Sequence, residues 1–266
     1  DKQVDVDLGA PFAGTQFYYS GSGNDLDNVM YKQVTLPAGA TLTAKVRYQI
    51  EEGWDYAYVV VSTDGGATWT SVPTNLSTDD DPNGQNFGHG ITGSSGGNWV
   101  DLTADLSSVS GDVLVGFRYW TDGAAVEPGI PIDEIVIAGG AADGAETDGG
   151  WTYSPETGGF RVTTGVEQTF YFNAYVAENR GYRGYDKSLR NAYNFGFANT
   201  KPDRVEFFRY QDGLLISYWD DAYSDNNVGD HPGSGLLLPV DAHPKPLHWA
   251  DGTLMRPRIQ SYDSTF

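Results

Sequence analysis

Cysteine is absent from all 266 residues, so disulfides, thiol catalysis and thiolate metal sites are excluded. Positive charge is scarce: 16 Lys and Arg stand against 36 Asp and Glu, a net charge of −20. A surface of that sign repels phosphate backbones and anionic lipid, which argues against nucleic-acid and membrane partners. Uninterrupted apolar runs extend only a few residues, as at Val59-Val60-Val61 and Leu236-Leu237-Leu238. A bilayer-spanning helix needs about 20. No basic-then-apolar leader stands at Asp1 and the chain opens without Met, which reads as a mature or excised piece of something longer. Catalytic signatures are missing as well. His89, His231, His243 and His248 never form H-E-x-x-H, and His243 and His248 lie five apart on a Pro-broken segment, where a zinc-binding helix needs four. No G-x-S-x-G, P-loop or dinucleotide fingerprint occurs either.

What is present points to β-structure. The chain carries 34 Gly and 13 Pro, too many for long helices and natural for many turns. Of the 36 acids 9 are Glu, leaving 27 Asp, the residue that suits turns and hard-cation sites. Seven Trp, 17 Tyr and 12 Phe supply buried area enough for a large core. Thr41–Ile50 alternates Leu42, Ala44, Val46, Tyr48 and Ile50 with polar residues, the period of a half-buried strand. Val29–Leu36, Tyr56–Ser62, Thr68–Val72, Asn98–Leu102, Asp112–Trp120 and Ile130–Ile137 read the same way. Gln168–Glu178, Val205–Tyr210, Leu214–Trp219 and Gly235–Val240 follow, with Leu214–Trp219 apolar on both faces and so central in a sheet. Tyr182–Phe197 reads as a loop with one helical turn near Lys187–Arg190. The small-residue stretch 138–145 is the best linker, and charge changes across it, from net −14 over residues 1–140 to −6 over 141–266. The expected fold is therefore all-β: an antiparallel jelly-roll sandwich over 1–140, followed by a less regular β-rich module over 141–266.

Several motifs carry chemistry, each with a plainer alternative. Ser62-Thr63-Asp64-Gly65-Gly66-Ala67-Thr68-Trp69 has the Asp-box pattern, in which Asp64 accepts turn amides and Trp69 folds back over the loop. It occurs once, which disfavours a propeller, and reads as structural. Asp79, Asp81 and Asn83 form D-x-D-x-N-G, the opening half of a calcium loop. Position twelve is Gly90 rather than Glu, so this is no EF-hand, and a solvated acidic turn competes. Asp25 and Asp27 form a second oxygen-rich cluster that could meet Asp133 or Glu134 if the first and last strands are neighbours. Asp220 and Asp221, at the end of a central strand, could do acid–base chemistry or cap their own loop.

Taken together, these strings resemble a known family. Glu51-Glu52-Gly53-Trp54-Asp55-Tyr56-Ala57-Tyr58-Val59, Trp99-Val100-Asp101-Leu102, Phe117-Arg118-Tyr119-Trp120-Thr121-Asp122-Gly123 and Ile132-Asp133-Glu134-Ile135 are similar to the jelly-roll, MAM-like module of immune inhibitor A-like secreted zinc metallopeptidases. Tyr175-Val176-Ala177-Glu178-Asn179-Arg180 and the run Tyr223–Gly233 continue the likeness. The resemblance implies a secreted, extracellular, non-catalytic scaffold stabilised by calcium, packing on or orienting the catalytic domain of the same protein. Zinc would sit only in that domain, and no catalytic residue transfers to this sequence. The candidate calcium ligands are Asp79, Asp81, Asn83, Asp25, Asp27 and Asp133. The alternative is a module for carbohydrate or a cell-surface polymer, with Trp54, Tyr56, Tyr58, Trp120 and Trp151 as stacking rings. A hydrolase built on Asp220 and Asp221 is a third reading.

Overall fold

A computed structural model describes residues 1–184, 187, 211–227, 229–255, 260 and 262–266. The predicted strand Val205–Tyr210 and most of the helical turn near Lys187–Arg190 lie outside the described residues. By its contacts the chain divides into two compact units, Asp5–Glu167 and Gln168–Phe266, the latter together with Asp1–Val4. Both are built from strands.

In the first unit, two five-stranded sheets face each other. One runs in the order Thr152–Ser154 (β12), Asp27–Leu36 (β3), Gly111–Trp120 (β10), Tyr56–Ser62 (β6), Thr70–Ser71 (β7). The other runs Arg161–Thr163 (β13), Phe17–Tyr19 (β2), Pro131–Ile137 (β11), Thr41–Val46 (β4), Val100–Asp105 (β9). All ladders in both are antiparallel. Alternation sets the inner faces: Leu42, Ala44 and Val46 of β4 point into the core while Thr41 and Thr43 face water. They meet Met30, Val59, Val115 and Phe117 of the opposite sheet in one continuous apolar cluster. Burying such side chains contributes about 1.5–3 kcal/mol each.

β6 departs from simple alternation, since all seven residues of YAYVVVS are buried. Ala57, Val59 and Val61 belong to the core between the sheets, while Tyr56, Tyr58 and Val60 form a second cluster on the other face. That outer face is covered by residues around Phe87, whose amide donates to the Tyr58 hydroxyl at 3.2 Å. The Phe87 ring also packs on Tyr58 and Trp120, at centroid distances of 5.9 and 5.3 Å.

The module boundary lies later than the expected 140. Residues of 141–164 complete both sheets, β12 pairing with β3 and β13 with β2. The linker-like stretch is instead tied into the sandwich, where Asp143 exchanges backbone hydrogen bonds with Ile135. Two smaller pairings are Gln49–Ile50 (β5) with Gly93–Ser94 (β8), and Lys2–Asp7 (β1) with Val166–Tyr171 (β14). In the second unit, Asn173–Arg180 (β15), Gly213–Asp220 (β16) and Leu237–Val240 (β17) make a three-stranded antiparallel sheet with β16 central. The both-faces-apolar pattern of 214–219 predicts that central position.

Candidate functional site

The strand pairing that opposes Trp120 to Tyr56 brings the start of β6 and the end of β10 to one end of the sheet. Asp55 precedes β6 and Asp122 follows β10, so the two carboxylates meet there. Glu51 joins them through a tight turn, in which its carbonyl accepts the amides of Trp54 and Asp55. Ligand oxygens of Glu51, Asp55 and Asp122 all lie within 4.8 Å of one another. Among the described residues this is the group of three or more acid or histidine side chains that converges in this way.

Asp55 is only 1% exposed. It accepts the Asp122 amide at 2.8 Å, and among the described residues no Lys, Arg or His forms an ion pair with it. Burial, then the charges of Asp122, Glu51 and Glu127, push its carboxyl up to about 6, against the pull of the Asp122 amide. Glu51 is raised by the same causes, burial first and then Asp122 and Glu127. The Tyr119 hydroxyl is fully buried, has no hydrogen-bond partner and lies within the field of Asp55 and Glu127. A buried carboxylate ringed by like charge and an orphaned hydroxyl fit the oxygen-rich environment of a hard cation.

The acids singled out in the sequence lie elsewhere. Asp79 takes the His89 amide and ring at 2.9 and 2.8 Å. Asp81 accepts the amides of Gln85 and Asn86, and Asn83 donates to the Gly53 carbonyl. Each therefore caps its own surroundings, although the buried Tyr56 hydroxyl near Asp81 and Asp80 also lacks a partner. Asp27 forms a two-pronged ion pair with Arg118 at 2.6 and 2.8 Å. Asp25 adjoins the candidate site without joining its converging carboxylates: its amide donates to the Asp122 carbonyl, and its carboxylate lies beside Gly123. Asp133 does not meet Asp25 or Asp27, because β11 and β3 belong to different sheets. It is fully buried and ties down the 12–13 segment, accepting the amides of Phe12, Ala13 and Glu134.

The stacking rings form no exposed row. Tyr56, Tyr58 and Trp151 are buried, Trp120 is half-buried under Phe87, and Trp54 alone of the set is exposed. Trp151 lies in the sandwich core, its indole N–H donating to Asp143 at 2.9 Å. Nor do Asp220 and Asp221 make an acid–base pair. Asp220 is buried and bonded to Lys2 at 2.7 Å; burial raises its pKa, but the Lys2 and Ala222 hydrogen bonds outweigh it and hold it below the usual carboxylate range. A cleft of about 400 Å³ beside Gln49 and Glu127 holds Arg47, which is committed to the Leu8 carbonyl and the Trp99 ring. The histidines bond to local carbonyls or acids, His231 through both ring nitrogens, and none joins a converging group among the described residues, so these residues do not fit a zinc site.

The second unit offers a different feature. Ala174, Trp219 and Leu237 stand side by side across β15, β16 and β17, with Val176 on the same face. Phe172 meets Trp219 edge-on at 5.4 Å. Phe172, Val176, Trp219 and Leu237 are each at least 40% exposed.

Residues 1–164 match the family described as Immune inhibitor A-like, MAM domain, and residues 168–266 match the Immune inhibitor A-like metallopeptidase, VEG domain. The chain belongs to the immune inhibitor A-like metallopeptidase family. The two matched spans divide where the two structural units divide. Among curated relatives, the Pre-pro-metalloprotease PrtV of Vibrio cholerae serotype O1 is 34% identical over 263 residues, 96% of this chain and 26% of that protein. Immune inhibitor A of Bacillus thuringiensis subsp. alesti is 30% identical over 257 residues, 91% of this chain and 32% of that protein. The chain thus spans about a quarter to a third of the length of these relatives.

Proposed function

We propose that this chain is the secreted, non-catalytic and calcium-stabilised β scaffold of a zinc metallopeptidase, and that it seats the catalytic domain of the same protein. The observation that carries this reading is the apolar face of the β15–β16–β17 sheet. Phe172, Val176, Trp219 and Leu237 lie together and remain open to water, a pattern that marks an interaction surface rather than a finished core. The occupant is the peptidase part of the polypeptide, because the relative named as a pre-pro-metalloprotease is about four times longer than the matched region. The MAM and VEG matches and the absence of catalytic signatures in the sequence support a supporting role rather than bond cleavage here. Extracellular placement follows from the family reading. The carbohydrate alternative finds no support in rings that are mostly buried.

The test is binding of this chain to the separately produced peptidase domain of its parent, followed by calorimetry. Trp219→Asp should weaken that binding at least tenfold, since a charge in the centre of a dry interface costs more than the roughly 1.4 kcal/mol a factor of ten requires. Unchanged binding by Trp219→Asp would refute this seat, and peptide hydrolysis by the purified chain alone would refute the scaffold role.

A further inference from the structure

We propose that Glu51, Asp55 and Asp122 bind a calcium ion at the edge of the first unit, where β6 begins and β10 ends. This rests on the reading of a calcium-stabilised scaffold and assigns the ion a place that the acidic motifs of the sequence do not indicate. Two independent observations carry it. The first is convergence: three carboxylates from two separate segments come within 4.8 Å of one another, with no cationic side chain in an ion pair with any of them among the described residues. The second is the Tyr119 hydroxyl, fully buried, unpartnered and within the field of Asp55. A hydrated cation among the carboxylates supplies the water that this hydroxyl lacks.

The donor set selects the ion. With carboxylate oxygens only and no imidazole or thiolate, it suits a hard cation rather than zinc. Calcium takes six to eight oxygens in flexible geometry and accepts a mixture of carboxylates, carbonyls and waters. Magnesium demands a near-ideal octahedron. The consequence is mechanical. Asp122 donates its amide to Asp55 and accepts the Asp25 amide on its carbonyl, so an ion here fastens the 51–55 turn, the end of β10 and the approach to β3.

The chain is stripped with EDTA, and its thermal unfolding is followed as calcium is restored. At about a hundredfold excess over the dissociation constant, the melting temperature should rise by roughly 5–10 °C. Asp55→Asn should abolish that rise, yet melt in EDTA no lower than the parent, because it removes like-charge repulsion from a buried place. Glu51→Gln is the second variant, should Asp55→Asn not fold, and should likewise abolish the rise. Asp81→Asn should leave the rise intact. A calcium response kept by Asp55→Asn and Glu51→Gln but lost in Asp81→Asn would overturn this assignment and leave the calcium-stabilised scaffold standing. A chain that shows no response to calcium at all would overturn both, and a response to magnesium in place of calcium would overturn the choice of ion.

Discussion

Asp5–Glu167 and Gln168–Phe266 are both assembled from antiparallel strands, but they treat apolar side chains in opposite ways. In the first unit β6 is apolar on both faces, and both are covered: one by the opposing sheet, the other by the segment carrying Phe87. In the second unit β16 is also apolar on both faces and central in its sheet, yet Leu214 and Trp219 stay exposed. Among the described residues of 168–266, the buried apolar side chains are Tyr182 and Leu215. Two-sided apolar patterning therefore states what a strand must bury, not what covers it. The covering is a tertiary fact. One unit finds it within itself, and in the other, among the described residues, part of both faces stays exposed.

The comparison breaks first at Trp151, if the first unit is less sealed than it looks. This ring is 8% exposed, packs edge-on against Tyr18 at 5.9 Å and joins the core between the sheets. Trp151→Ala should cost about 3–5 kcal/mol in denaturant unfolding, by lost burial and a cavity that the flanking strands cannot fill. A loss below about 1 kcal/mol would show that the sandwich core tolerates a large void there.

A smaller effect is expected at Asp143, the polar partner of the same ring. It accepts Tyr18 and Trp151 at 2.8 and 2.9 Å and pairs with Lys32 at 3.4 Å. Asp143→Ala strands these donors in a partly buried place and should cost about 2–3 kcal/mol. Burial pushes this carboxyl up, but the hydrogen bonds from Trp151, Tyr18 and Ala145 and the Lys32 charge together hold it below the ordinary value. The folded state therefore favours the ionised form. Its contribution is complete above the unfolded-state pKa of about 4 and fades as pH falls through the lower folded value. Unfolding measured from pH 7 down to about 2 should show the parent losing this increment while Asp143→Ala, lacking the group, falls less steeply. Parallel curves would show that the carboxylate is not stabilised by folding.

How much of this was legible in the sequence differs by element. The strand 56–62 is found where its pattern placed it, and 112–120 within one residue, because long apolar alternation is written locally. β2, β12 and β13 have three residues each, too short for any period, so local pattern alone places the module boundary some 25 residues early. The calcium-loop pattern at 79–83 shows why spacing alone does not assign ligands: one oxygen each of Asp79 and Asp81 is taken by nearby amides. Glu51, Asp55 and Asp122 were invisible as a group because only the pairing of β6 with β10 brings positions so far apart in sequence together. A usable signal did exist, an acid one or two residues outside each of two apolar strands, but it needs the strand order to be read.

The smallest effect should come from the second unit, and it sharpens the contrast most. Trp219 has the same side chain as Trp151 but stands 40% exposed, with Phe172 as its ring neighbour and Ala174 and Leu237 beside it. Truncating it removes little area that the isolated chain had taken from water, so Trp219→Ser should shift the unfolding of this chain by less than about 1 kcal/mol. Hydrogen exchange of the β16 amides follows that local stability directly, because it reports opening of the second unit whether or not the first unfolds with it. Faster exchange corresponding to a loss above about 2 kcal/mol would mean that the indole anchors its own sheet. The face would then be part of a core, and the difference between the two units would be one of size alone. A change within the small range leaves the ring with contact area that this chain does not use, available for the domain it is argued to seat.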